Sequence, residues 1–296
     1  MITQLLDGGM GQELIKRCGK SAHPLWSAKL LIDQPQMIQA VHAEYIAAGA
    51  TVITVSNYTC TPQRLAQHNL DDQLEKLHRT AIDAALRARD QASHGQEVLI
   101  AGCLPPLVAS YHPKTLPSRQ ACLDSYRLLC ELQADHVDIL LCETLSASKS
   151  LTTASTAALE FGLPVWVSAT VDDQNGELLR SGESLSSVLE NLDPAIDALL
   201  LNCSTPEAIT SAGLPVLKTR NKTFGAYANG FESIDALMPG STVDQLSQRH
   251  ELDEPTYLDY VKQWVAMGAE IVGGCCEVGP SHIAAIAHWA QQNAAN

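Results

Sequence analysis

The sequence predicts an α/β protein, a single-domain (β/α)8 TIM barrel occupying residues 1–296. Three observations carry this expectation: eight short runs rich in β-branched and aliphatic residues, helix-patterned stretches between them, and no linker, low-complexity tract or composition shift that divides the chain. A length of 296 residues is compatible with two domains, but barrels of this size fold as one unit.

The eight runs are QLLDGG (4–9), ATVITVSN (50–57), EVLIAGC (97–103), VDILLCET (137–144), PVWVSATV (164–171), DALLLNCS (197–204), a seventh with two candidates, and AEIVGGCC (269–276). The seventh strand is either PVLKTR (215–220) or TFGAYAN (223–229). Between the runs, QPQMIQAVHAEYIAAG repeats apolar residues at Met37, Val41, Tyr45 and Ala48 before stopping at Gly49, the three-to-four spacing of one helix face. DDQLEKLHRTAIDAALRARDQA, SLSSVLENL and PTYLDYVKQWVAMG read the same way. TPEAITSAG opens with Thr205 as an N-cap and Pro206 at the first helical position. Two segments break the rhythm, LPPLVASYHPKTLPS (104–118) and GFESIDALMPGSTVDQ (230–245), both rich in Pro, Gly and Ser. Each follows a strand, so in a barrel each lies on the C-terminal face, where active sites are assembled.

Bulk composition narrows the function. With 46% hydrophobic and 18% charged residues, the chain can bury a sizeable core. MITQLLDGGMGQEL lacks the basic start and long apolar run of a secretory signal, and no stretch approaches eighteen uninterrupted apolar residues, so a cytoplasmic protein with no membrane partner is expected. A net charge of −14 argues against a nucleic-acid partner. Small molecules are the expected partners; oligomeric state is not legible.

Nine cysteines are an odd number, and in a reducing compartment they are not a disulfide framework. Cys18, Cys60, Cys103, Cys122, Cys130 and Cys142 stand singly among apolar neighbours, where a small buried hydrophobe is the default role. Cys275 and Cys276 differ. They are adjacent at the end of an apolar run, after Gly273 and Gly274, awkward as a disulfide with each other and well suited to hold one metal ion from a turn. A catalytic zinc takes three protein ligands and leaves the fourth position open, and Cys203 at the end of DALLLNCS stands where a third would. The competing reading makes these cysteines packing residues beside a phosphate-binding glycine turn, which leaves two thiols unexplained. Three thiolates around zinc would activate a substrate thiol that enters the fourth position.

LLDGGMGQEL (5–14), PLWSAKLLIDQPQMIQAVHAEYIAAGA (24–50), ILLCETL (139–145), LLNCSTPEAI (200–209) and GAEIVGGCCEVGPSHI (268–283) together resemble the homocysteine S-methyltransferases, a family related to betaine-homocysteine methyltransferase. The resemblance spans nearly the whole chain. It implies that Cys203, Cys275 and Cys276 ligate zinc, that Asp7 and Glu143 bind the ammonium of homocysteine, and that backbone groups of Gly8, Gly9 and Met10 lie beside it. It also implies that Trp26 and Tyr58 line the pocket of a cationic methyl donor, with Asn57 and Asn229 as amide contacts. PLWSAK is most similar to the members that use S-methylmethionine and also accept S-adenosylmethionine, so the expected reaction is methyl transfer from such a donor to homocysteine, forming methionine. No general base is required, and His23, His42, His112 and His282 need no catalytic role.

The two long loops depart from the family pattern. GCLPPLVASYHP stands where a GPYG-like turn is usual, and AYANGFE replaces a PNSG-type turn. That leaves a different thiol or a selenol as an alternative acceptor. A noncatalytic zinc- or thiol-binding barrel is a second alternative, and a lyase or aldolase using Lys218 of PVLKTR as a strand-end lysine is a third.

Overall fold

The computed structural model describes residues 1–19 and 25–294. Its elements alternate along the chain: β1 (Gln4–Leu5), α1 (Met10–Cys18), α2 (Trp26–Asp33), α3 (Pro35–Ala47), β2 (Val52–Thr54), α4 (Pro62–Ala66), α5 (Leu74–Ala92), β3 (Leu99–Leu104), α6 (Arg119–Glu131), β4 (Ile139–Leu145), α7 (Ser148–Leu159) and β5 (Val165–Ala169). There follow α8 (Leu185–Glu190), β6 (Ala198–Asn202), α9 (Pro206–Ala208), α10 (Leu214–Lys218), β7 (Thr223–Tyr227), α11 (Glu254–Met267), β8 (Ile271–Val272) and α12 (Pro280–Ala294).

The strands form one parallel sheet in the order β1-β8-β7-β6-β5-β4-β3-β2. A bridge between Leu6 and Val52, with the Asp7 N–H donating to the Val52 carbonyl at 3.0 Å, brings β1 round to β2 and closes the barrel. Local chemistry places the helices as expected. Pro35 opens α3 and Gly49, at φ +105°, ends it. Thr205 caps α9 by accepting from the Ala208 N–H. Asp253 caps α11, which stops at Gly268, φ +106°.

Two hydrophobic clusters follow from the period-two alternation of strands. Leu6, Val52, Ala101, Ile139, Leu141, Trp166, Ala198, Leu200, Tyr227 and Ile271 fill the barrel interior. Leu140, Cys142, Val165, Leu199 and Leu201 face outward to the helices. The alternation decides which side chains reach the mouth: Ile139 and Leu141 carry the inward register of β4 on to Glu143, and Ala198 and Leu200 carry that of β6 on to Asn202.

The seventh strand is TFGAYAN. PVLKTR is helical, because Leu214 and Leu217, three residues apart, are buried on one face and Pro215 sits in the first turn. Lys218 is therefore exposed on a helix, away from every strand end, and the aldolase alternative loses its nucleophile. The predicted runs are longer than the paired strands. Residues 7–9, 55–57 and 273–276 leave the ladder and run over the mouth as irregular backbone, which is what frees their groups for other partners. No helix among the described residues is long and apolar enough to cross a membrane.

His42 in α3 is fully buried, and neither ring nitrogen has a hydrogen-bond partner. Burial lowers its pKa from 6.5 to about 3. The unfolded chain thus binds a proton here that the folded chain refuses, so stability falls as pH drops below 6.5. His42→Leu removes both the orphaned donor, worth about 1–3 kcal/mol, and this acid sensitivity. Thermal unfolding of the variant is expected at higher temperature than wild type, with the gap widening from pH 7 to pH 5.

Candidate metal and substrate site

The C-terminal mouth holds a cavity of about 260 Å³. Its floor is the barrel interior, and its walls are the backbone after β1, the segment after β2, the two long loops and the turn after β8. Asp7, Gly8, Gly9, Met10, Tyr58, Glu143, Cys203, Cys275 and Cys276 all line it. The two loops meet there: Val108–Tyr111 and Leu237–Val243 are wall residues, and His112 Nε2 lies 2.6 Å from the Leu237 carbonyl.

The thiols converge from two strands separated by β7. Asn202 faces inward, so alternation alone would turn Cys203 outward. Instead Cys203 adopts φ +49°, a left-handed conformation that costs a non-glycine residue about 1 kcal/mol or more, and its sulfur comes to the cavity. Arg180 Nη2 and Thr170 Oγ1 donate to its carbonyl at 3.1 and 3.2 Å and hold the turn. On the other side, Tyr257 donates to the Gly273 carbonyl at 2.7 Å and accepts from the Ala228 N–H at 3.0 Å, fixing the approach to Cys275. Gly9 is required beneath it, since a Cβ there would stand 2.7 Å from the Cys275 carbonyl oxygen.

The three sulfur atoms lie within 4.8 Å of one another. Cys203 and Cys275 are joined as a disulfide, with Cα atoms 5.7 Å apart, and Cys276 Sγ stands 3.8 Å from Cys203 Sγ. Of the three, Cys276 alone carries a free thiol in this state. Reduced, the same atoms fit a metal. A tetrahedral zinc with sulfur at about 2.3 Å has sulfur–sulfur edges of about 3.8 Å, the separation Cys276 already has. Burial pushes the Cys276 thiol up to about 12, with Glu277 and Glu143 adding repulsion, so a thiolate there needs a cation beside it. Asn202 Nδ2 lies 3.9 Å from Cys275 Sγ and is itself held by Thr144 and Ser168.

The same cavity holds two carboxylates with no cationic partner among the described residues. Asp7 accepts from the Thr54 N–H at 2.9 Å and its pKa is raised to about 8, by burial first and by Glu143 in addition. Glu143 is also raised by burial; the Cys103 thiol donates to it at 2.9 Å and Tyr227 reaches it at 3.4 Å. Paired acids of this kind are costly to ionise unless a positive group arrives.

Several expectations need correction. Asn57 is not on the cavity wall: its Nδ2 points to Gln133 Oε1 at 2.9 Å and His78 Nδ1 at 3.2 Å, in a buried network between the barrel and the helices. Asn229 is likewise absent from the wall, and its Oδ1 accepts from the Phe231 N–H. The backbone beside Asp7 is partly committed, with the Gly9 N–H on the Val278 carbonyl and that of Met10 on Gly8. Trp26 begins α2, but its side chain lies outside the described residues, as does His23. Cys103 is buried as expected yet serves as a donor to Glu143. Sequence reading missed Arg64, Tyr111 and Tyr227 on the wall. Tyr227 was findable, since it shares the inward parity of its strand; Tyr111 sits in an irregular segment and Arg64 in the five-residue helix α4, too short for periodicity to show.

Linkage gives Asp7 a measurable signature. Its folded pKa exceeds the unfolded value, so stability is fully present below about pH 4 and declines as pH rises through about 8. Metal-free Asp7→Asn keeps an oxygen acceptor for Thr54 and cannot ionise. Between pH 6 and pH 9 its melting temperature is expected to fall less than that of wild type.

A family model described as homocysteine S-methyltransferase matches residues 4–290. The homocysteine S-methyltransferase of Escherichia coli is 33% identical, over 95% of this chain and 93% of its own. A selenocysteine methyltransferase from Astragalus bisulcatus is 27% identical, over 95% and 90%. The crystal structure of the homocysteine methyltransferase MmuM from E. coli in its metallated form superposes with a TM-score of 0.80 at 28% identity, covering 97% of this chain and 96% of that one. The same protein in an oxidized form gives a TM-score of 0.80.

Proposed function

This chain belongs to the homocysteine S-methyltransferase family, and we propose that it transfers a methyl group to the thiol of homocysteine from a cationic donor, S-methylmethionine foremost and S-adenosylmethionine second, with zinc held by reduced Cys203, Cys275 and Cys276. The observation that carries this reading is the pairing, within one cavity, of three convergent sulfur atoms and two buried carboxylates that lack a cation. The first set suits a soft metal, the second an ammonium group. An amino acid with a thiol side chain presents both partners at once.

Zinc bound there supplies Lewis acidity that holds a substrate sulfur as thiolate at neutral pH. The rest is done by the chain. Asp7 and Glu143 take the ammonium, and Asp7, raised to about 8, loses its proton as it arrives, so homocysteine binding releases a proton at pH 7. Cys103 and Tyr227 aim Glu143 by hydrogen bonds. Tyr58, fixed by a 2.8 Å hydrogen bond to Ser110, offers an aromatic ring to the onium methyl. The loops over the mouth exclude water and hold nucleophile and methyl in line. No side chain is needed as a general base, because the leaving group departs neutral.

The test begins with protein reduced in the presence of zinc, since a Cys203–Cys275 disulfide and a three-thiolate site use the same atoms. One zinc per chain and methionine formation from homocysteine with S-methylmethionine are expected, and Cys276→Ala should lose both. A wild type that binds zinc but forms no methionine with S-methylmethionine, S-adenosylmethionine or betaine would leave a thiol-binding barrel. Turnover of selenohomocysteine in preference to homocysteine would move the acceptor to a selenol.

Glu143→Gln keeps the shape and removes a charge from the ammonium site. A charge-assisted hydrogen bond contributes about 1.5–3 kcal/mol, so KM for homocysteine should rise about 10- to 100-fold. KM for the donor should stay within about threefold, since the lost bond belongs to the other substrate. Initial-rate kinetics with each substrate varied in turn reads both.

A further inference from the structure

Among the described residues Arg64 is the one arginine on the cavity wall, and no acidic side chain pairs with it. It sits in α4 after β2, half-buried, with Nε and Nη2 donating to the Pro106 carbonyl at 3.3 and 3.1 Å and Nη2 reaching Ser110 Oγ at 3.4 Å. Among the described residues no carboxylate oxygen lies within 4.0 Å of it, whereas Arg180, Arg220 and Arg249 around the same barrel each have an acidic partner. Neutral acceptors position a guanidinium without balancing its charge. A desolvated charge left unpaired is costly, and burial is the leading influence on Arg64.

The guanidinium also lies over the Tyr58 ring, 5.4 Å from its centroid. Tyr58 is the aromatic residue offered to the onium methyl, so a bare cation arriving there meets a fixed positive charge nearby. A donor that carries its own carboxylate cancels that repulsion and fills the vacant side of the guanidinium fork with paired hydrogen bonds. Asp7 and Glu143, which line the same cavity, are acidic and suit the ammonium of the thiol substrate.

We propose that Arg64 forms an anion subsite that binds the carboxylate of the methyl donor, so that the donor class is zwitterionic: an onium methyl at one end and a carboxylate at the other. This rests on the donor reading of the preceding section. It makes Arg64 a specificity-determining residue, acting on donor binding without touching the reacting sulfur.

Calorimetric titration of the reduced protein distinguishes the outcomes. S-methyl-L-methionine and its carboxamide differ only in the carboxylate; homocysteine and its carboxamide give the same contrast for the acceptor. Wild type should bind S-methylmethionine more tightly than its amide, and Arg64→Met should weaken the acid about 10- to 100-fold while leaving the amide unchanged or tighter. Arg64→Lys, which keeps the charge and loses the fork, should fall between. Equal losses for acid and amide, or none, overturn the subsite, and a loss confined to the homocysteine pair moves it to the acceptor and overturns the donor assignment. Methionine formation is followed in parallel. An Arg64-dependent acid preference without turnover leaves the subsite standing and sinks the proposed reaction; turnover untouched by Arg64→Met does the reverse; no binding of S-methylmethionine overturns both.

Discussion

Cys203 leaves β6 and Cys275 leaves β8, two strands held apart by β7, yet their sulfur atoms meet, with Cys276 Sγ 3.8 Å from Cys203. That meeting is the constraint on which the mouth of the barrel depends. It requires a closed sheet, since only closure fixes where the ends of β6 and β8 stand relative to β1. It requires a left-handed turn at Cys203, and carbonyl acceptors that Arg180, Thr170 and Tyr257 can hold in place. It also requires a bare glycine at position 9, because the segment after β1 passes directly beneath the Cys275 carbonyl. These features are spread over the chain from residue 9 to residue 275 and share one purpose, to bring sulfur to a point without a side chain in the way.

Electrostatics at the mouth have the same logic of groups prepared for a partner. Burial raises Cys276, Asp7 and Glu143 together, so the empty cavity resists carrying their negative charges. In the proposed reading each is relieved by a different cation, a metal for the thiols and an ammonium for the carboxylates. Arg64 is the converse case, a positive group surrounded by neutral acceptors. The cavity therefore sorts charge along its walls, and the substrates complete it.

Most of the barrel was legible because strands and helices carry periodicity. Each of the eight strands overlaps a predicted run once TFGAYAN is taken for the seventh, β3 and β4 ending one residue beyond theirs, and the error latent in PVLKTR was one of period: its Leu217 shares a helix face with Leu214. The sulfur site was legible for another reason, since adjacent cysteines at a strand end have few structural uses. Asn57 and Asn229 lie off the cavity wall, since residue type says nothing about direction. Asn57 ends a predicted run yet turns outward to Gln133 and His78, on backbone that no longer alternates. Tyr111 and Arg64 were invisible to the sequence, the first placed by a loop and the second by a five-residue helix whose position only the tertiary packing decides, and Cys103 looked like its inert neighbours until β3 and β4 set it beside Glu143.

The central claim, an open three-sulfur zinc centre whose fourth position belongs to the substrate, is most directly tested by zinc X-ray absorption on the reduced, zinc-loaded protein with and without homocysteine. Three sulfur neighbours at about 2.3 Å and one lighter atom are expected without substrate, and four sulfurs with it. A coordination shell that homocysteine leaves unchanged, or one already holding four protein ligands, would contradict the account.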